Sequence, residues 1–177
     1  MTNEFDTAVL QLALNSDTPF TVAIWKTVTF FGSAAALAPL SLAAVIGFAI
    51  SKRRRDAVHF GLVMIGAVVI ENAMKLSIHR ARPAEVFANT LPPSSSFPSG
   101  HTLFATAFYV SFALIVFRTT THSRRIAAAL MAAVIIIAIG LSRVFLGVHY
   151  PSDVLGGYLS AGLWIAVLTS MQQKYAL

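Results

Sequence analysis

The chain contains no cysteine and very little charge. Without cysteine there is no disulfide framework and no thiolate metal site. Charged residues make up 11% of its 177 positions, against roughly a quarter in soluble domains. A water-soluble domain of this length has too much surface to cover with so few charges. Acids are scarcest, with 7 Asp and Glu against 13 Lys and Arg and a formal net charge of +6. No cluster of carboxylates accompanies the histidines, so neither a divalent-metal site nor any cofactor is expected. The basic balance does not point to nucleic acid, because the aromatics sit inside apolar runs and are not interleaved with surface basics. The start, MTNEFDTAVL, has no basic n-region and no small-residue cleavage site, so it does not read as a cleaved signal peptide. No internal repeat is visible.

What the chain does have is long apolar blocks. Five reach the length of roughly 20 residues that a helix needs to cross a bilayer. They run from about Gly32 to Ile50, Ala57 to Ile78, His101 to Phe117, Ile126 to Gly147 and Val154 to Met171. None alternates as barrel strands would. The expected fold is therefore all-α, an integral membrane bundle of about five transmembrane helices. Phe5–Leu14 and Phe20–Phe31 are apolar but short, broken by Asn15, Ser16, Asp17 and Pro19. They read as interfacial helices on the membrane surface. This divides the chain into residues 1–31, interfacial, and 32–177, the transmembrane domain. The alternative fuses Phe20 onward with the first block into one long tilted span. Lys26 and Gly32 interrupt that run, and a charge at mid-membrane costs a few kcal/mol.

If five spans alternate, Lys52, Arg53, Arg54, Arg55, Arg118, Arg124, Arg125 and Lys174 share one face, and Lys26, Lys75, Arg80, Arg82 and Arg143 the other. The eight-residue face is expected to be cytoplasmic. The opposite face also carries the N-terminus and the polar connection Ala84–Phe97, whose LPPSSSFP stretch reads as a turn or binding loop.

Three clusters stand on that outer face, each at the end of a span. They are Lys75-Leu-Ser-Ile-His-Arg-Ala-Arg82-Pro83, then Pro98-Ser99-Gly100-His101, then Ser142-Arg143 followed by His149 and Asp153. Lys75, Arg82 and Arg143 repel one another unless an anion sits among them. Arginine forks match phosphate oxygens in bidentate geometry, and lysine adds a compact charge. Ser99 and Gly100 precede a helix whose N-terminus offers backbone N–H groups to an anion, with Gly100 allowing close approach. This set suits a phosphoryl group and its transition state. Asp153 lies four residues after His149, on the same face if the stretch is helical. Bonded to one ring nitrogen, it leaves the other free to attack phosphorus and form a phosphohistidine. His101 is placed to protonate the leaving oxygen and then to activate water.

Together the three clusters carry eleven specified positions in order. They resemble the three-part signature of the type 2 phosphatidic acid phosphatase (PAP2) family, from about Gly32 to the C-terminus. The resemblance implies that His149 is the nucleophile, Asp153 its partner and His101 the acid. It implies that Lys75, Arg82, Ser99, Gly100 and Arg143 form the phosphate cradle, and that hydrolysis needs no metal. It also implies a lipid phosphate or diphosphate substrate, taken at the outer face of the inner (cytoplasmic) membrane. Undecaprenyl diphosphate comes first, then phosphatidic acid, phosphatidylglycerol phosphate and lipid A phosphate. Many bacterial members have six spans, whereas five are legible here, which puts the N-terminus on the outer face. Three rivals use the same scaffold: a lipid phosphotransferase, a vanadate-dependent haloperoxidase, and a lipid-phosphate binder or transporter. The spans speak against the second, and the paired histidines against the third. The sequence sets no oligomeric state.

Several residues have blander readings. Arg80, outside the signature, reads as a basic residue snorkelling at a helix end. Glu71, four residues before Lys75, reads either as its ion-pair partner or as a polar contact between helices. His79 and Glu85 read as facing water, Pro92 and Pro93 as stiffening the loop, and Trp25 and Trp164 as interface anchors or packing.

Overall fold

The computed structural model describes residues 3–16, 18–83, 94–118 and 120–175. Asp17, Glu85, Pro92 and Pro93 lie outside them. Among the described residues there is no strand. Seven helices follow one another: α1 Glu4–Leu14, α2 Pro19–Phe30, α3 Ala34–Ile50, α4 Arg54–Ile78, α5 Gly100–Phe117, α6 His122–Phe145 and α7 Pro151–Tyr175. The chain is a multi-pass integral membrane protein with five stretches long and apolar enough to span a bilayer. Four of these are α4 to α7. The first is Pro19–Ile50, which takes in both α2 and α3.

Local chemistry marks the ends. Thr18 and Thr21 form a reciprocal capping box with Pro19 in the first turn of α2. Ser33 caps α3 after a turn at Phe31 and Gly32. At α7, Pro151 stands in the first position, and the Asp153 carboxylate accepts the Tyr150 N–H at 2.9 Å, the back half of a capping box.

Helix α5 is the central pillar, packed against α3, α4, α6 and α7. Val63, Ala67, Leu103, Ala107, Ala161, Ile165 and Leu168 make a core where α4, α5 and α7 meet. Small residues let the backbones approach, as membrane interfaces require. At Gly157 a side-chain carbon would come within 2.9 Å of the Ser99 carbonyl. The outward faces are apolar: Leu159 is 73% exposed, Leu163 69% and Val134 66%. Leaving such side chains in water would cost about 1.5–3 kcal/mol each, so these faces belong in lipid. At the end of the bundle away from the three clusters, Asp56 of α4 pairs with Arg53 at 2.8 Å and with Arg118, beyond α5, at 2.9 Å.

The alternation α4 up, α5 down, α6 up, α7 down brings Lys75, Gly100, Arg143 and Pro151 to one end. Helices α1 and α2 pack over the same end. Trp25 of α2 stacks on Phe145 of α6 at 4.8 Å, and α1 lies against α6 and α7.

Candidate active site

The third cluster owes its spacing to the end of α6. The Arg143 carbonyl accepts the N–H groups of both Val148 and His149 at 3.2 Å, and Gly147 turns the chain at φ 65°, a left-handed conformation that favours glycine. Arg143 and His149 are thus fixed to each other through backbone. The conditional expectation that His149 and Asp153 share a helix face needs restating. His149 precedes α7, and the turn through Tyr150 brings its Nδ1 to 3.5 Å from Asp153 Oδ2.

His149 is 2% exposed and Asp153 fully buried. His149 Nε2 lies 3.3 Å from an Arg82 guanidinium nitrogen. Arginine has only donors, so Nε2 accepts, and the proton of the neutral ring belongs on Nδ1, beside Asp153. Ser96 Oγ completes the pair, 2.6 Å from Asp153 Oδ2 and 3.3 Å from His149 Nδ1. Burial pushes the His149 imidazole down to about 4; the Asp153 hydrogen bond opposes this, and Arg143 and Arg82 reinforce it. The ring is therefore a neutral base with its lone pair directed at a cationic neighbour.

The cations converge as expected. Arg82 is braced by the Ser94 and Val148 carbonyls, both at 3.2 Å, and by Ser94 Oγ at 3.0 Å. Arg143, 8% exposed, donates to Thr29 Oγ1 of α2 at 2.7 Å. Its Nε is buried without a hydrogen-bond partner among the described residues. Lys75 Nζ pairs with Glu71 Oε1 at 2.6 Å, which settles the two readings of Glu71 in favour of the ion pair. His101, in the first turn of α5, lies within electrostatic range of Arg143, His149, Lys75 and Arg82. Ser99 is buried, and its N–H bonds to the Asp153 carbonyl at 3.0 Å, locking the start of α5 to α7. The first turn of α5 has no side-chain cap. At Gly100 any side-chain carbon would collide with Glu71 Oε1. All eight site residues expected from sequence therefore gather at one end of the bundle.

One sequence reading fails. Arg80 is not a snorkelling surface residue: its side chain is only 11% exposed, and it binds Asp153 Oδ1 and Asp6 Oδ2, both at 2.6 Å. Its pairing with two carboxylates explains the difference, since snorkelling presumes that water is the best partner for the charge. Asp6, Thr29, Ser94, Ser96 and Ser152 were also missed. The one available signal was Asp6, an acid set between apolar residues of α1 two positions after Glu4. His79 is exposed, as expected.

Comparison with known proteins agrees with this arrangement. Residues 56–176 match the PAP2 superfamily. Phosphatidylglycerophosphatase B of Bacillus subtilis is 31% identical over 92% of this chain and 80% of its own. Lipid A 1-phosphatase of Rhizobium johnstonii is 37% identical over 58% of this chain and 42% of its own. The crystal structure of a transmembrane PAP2-type phosphatidylglycerolphosphate phosphatase from Bacillus subtilis superposes with a TM-score of 0.87 at 27% identity, covering 96% of this chain and 85% of that one. The family match over residues 56–176 and the Bacillus subtilis relative together make the chain a member of the PAP2 superfamily, a membrane phosphatase of the PAP2 type.

Proposed function

We propose that the chain removes a phosphate from the head of a membrane lipid through a phosphohistidine on His149, at the outer face of the cytoplasmic membrane. The observation that carries this is the orientation of His149: Nδ1 toward Asp153, Nε2 toward the Arg82 guanidinium. A phosphoryl group drawn to Arg82, Arg143 and Lys75 would meet that lone pair. Nε2 then bonds to phosphorus as the bond to the leaving oxygen breaks, and His101 supplies that oxygen's proton. Water attacks phosphorus next, giving its proton to His101 and releasing phosphate and free His149. The Arg143 Nε, buried without a hydrogen-bond partner among the described residues, and the uncapped first turn of α5 suit the charge that develops on the equatorial oxygens.

The names of the Bacillus subtilis relatives support phosphatidylglycerol phosphate as the first substrate to test, ahead of undecaprenyl diphosphate, phosphatidic acid and lipid A phosphate. Residues 1–31 would lie at the membrane surface as a cover over the site, with the lipid tail left among the spans of residues 32–177.

The test is a phosphate-release panel over these four lipids in detergent micelles containing EDTA. Turnover of at least one is expected, with His149→Ala lowering it by about 10³-fold or more while the protein stays folded. Near-normal turnover by that variant, or reversible loss of activity on chelation, would overturn the mechanism.

A further inference from the structure

Asp6 lies outside the three clusters and ahead of the residues that match the family, yet it is fully buried. Its Oδ1 accepts the Ser152 N–H at 3.0 Å. Its Oδ2 accepts from Ser152 Oγ and from one terminal nitrogen of Arg80, each at 2.6 Å. The other terminal nitrogen of Arg80 donates to Asp153 Oδ1 at 2.6 Å and to Ser152 Oγ at 2.7 Å. The Tyr150 ring lies 4.5 Å from the guanidinium carbon. Burial alone would raise the Asp6 carboxyl, but the Ser152 and Arg80 hydrogen bonds hold it below the usual carboxylate range. Asp6 is therefore an anion.

The geometry has a consequence for Asp153. A guanidinium facing a single carboxylate tends to take both oxygens, fork to fork. Here that would occupy Asp153 Oδ2, the oxygen 3.5 Å from His149 Nδ1. Instead the fork is split between two carboxylates, and Asp153 Oδ2 is left to Ser96, the Tyr150 N–H and His149. Resting on the reading of His149 as nucleophile, we infer that Asp6 is a positioning residue for the hydrolysis: by holding one arm of Arg80, it confines Arg80 to Asp153 Oδ1 and keeps Oδ2 turned to the imidazole. Helix α1 thus belongs to the catalytic apparatus, although Asp6 touches neither His149 nor the phosphate cradle.

The test uses the full-length chain in detergent micelles, with phosphatidylglycerol phosphate or undecaprenyl diphosphate, whichever the panel turns over faster. Asp6→Asn keeps the shape and removes the charge. Its kcat should fall about 10- to 100-fold, as for partners that orient a functional histidine. KM and inhibition by orthovanadate should stay within about twofold, because the cradle is untouched. Arg80→Gln should behave alike, and the double variant should be no worse than the poorer single one, since both act along one line. Ser152→Ala loses part of the same brace and should cost about fivefold in kcat, the worth of one net hydrogen bond. It carries the test if Asp6→Asn does not fold. An Asp6→Asn or Ser152→Ala kcat indistinguishable from the parent, additive losses in the double variant, or orthovanadate inhibition weakening in step with kcat would each overturn the inference. His149→Ala is run alongside. If it is inactive while Asp6→Asn is normal, only the role of Asp6 falls; if it is active, both readings fall.

Discussion

At the residue scale, the site works by dividing the two oxygens of a carboxylate between different partners. Asp153 illustrates it: Oδ1 takes Arg80, while Oδ2 takes Ser96, the Tyr150 N–H and the His149 contact. The same carboxylate therefore caps α7 and sets the tautomer of His149. The consequence is visible in pH dependence. The buried imidazole is held down to about 4 from an ordinary 6.5, so the nucleophile is unprotonated in the free enzyme above that value. With a phosphate monoester whose own second ionisation, near about 6, is allowed for, kcat/KM should hold from pH 7 to about 5 and drop only toward 4. An acid limb near 6.5 would show that His149 titrates as an exposed histidine. Stability follows the same sign. The unfolded chain binds a proton at this histidine below 6.5 while the folded one waits until about 4, so acidification through that window favours unfolding.

At the scale of elements, the site depends on helix ends meeting, and glycine permits the meeting. Between α5 and α7 the contact is backbone on backbone: a side-chain carbon at Gly157 would sit 2.9 Å from the Ser99 carbonyl and 3.0 Å from Thr102 Cβ. Neither can move without displacing the start of α5, since the Ser99 N–H is tied to the Asp153 carbonyl. Gly157→Ala should therefore destabilise the protein by about 1–3 kcal/mol, the cost of overpacking. It should also shift Ser99 away from the cradle. A lowered Tm in detergent, together with weaker orthovanadate inhibition, is the expected result; an unchanged Tm would mean the helices part freely. The N-terminal helices are held just as specifically, α2 through Thr29 on Arg143 and Trp25 on Phe145, α1 through Asp6.

At the scale of the whole molecule, two charged ends bracket an apolar middle. One holds Arg53, Asp56 and Arg118 in an ion-pair cluster tying α4 to the end of α5. The other holds the site, where Lys75 pairs with Glu71 and Arg80 with Asp6 and Asp153, while Arg82 and Arg143 are held by carbonyls and hydroxyls. On the proposed outward orientation, these pairings and a phosphate held by Arg82 and Arg143 would offset basic residues on a face where the positive-inside rule expects few. The absence of cysteine makes the orientation directly measurable. In intact cells, a single cysteine at His79, exposed at the site end, should react with a membrane-impermeant thiol reagent. One at Ser51, exposed at the opposite end, should react only after permeabilisation. The reverse pattern would place the site on the cytoplasmic side.

The membrane bundle, four of the five spans and the gathering of the three clusters at one end were legible in the sequence; the first apolar stretch, Pro19–Ile50, begins earlier than the expected Gly32. Hydropathy over twenty residues and motifs fixed at span ends are local properties, and they survive without knowledge of neighbours. The pairing of Lys75 with Glu71 was legible too, as one of two readings, because four residues along a helix is one turn. Only the tertiary structure decided the rest. Arg80 could not be told from a snorkelling basic residue, nor Asp6 from a helix-end acid, because their partners lie more than seventy residues away in the chain. What distinguishes them is burial, which forces a charge to find its counter-charge, and burial is conferred only when α1, α4 and α7 have packed together.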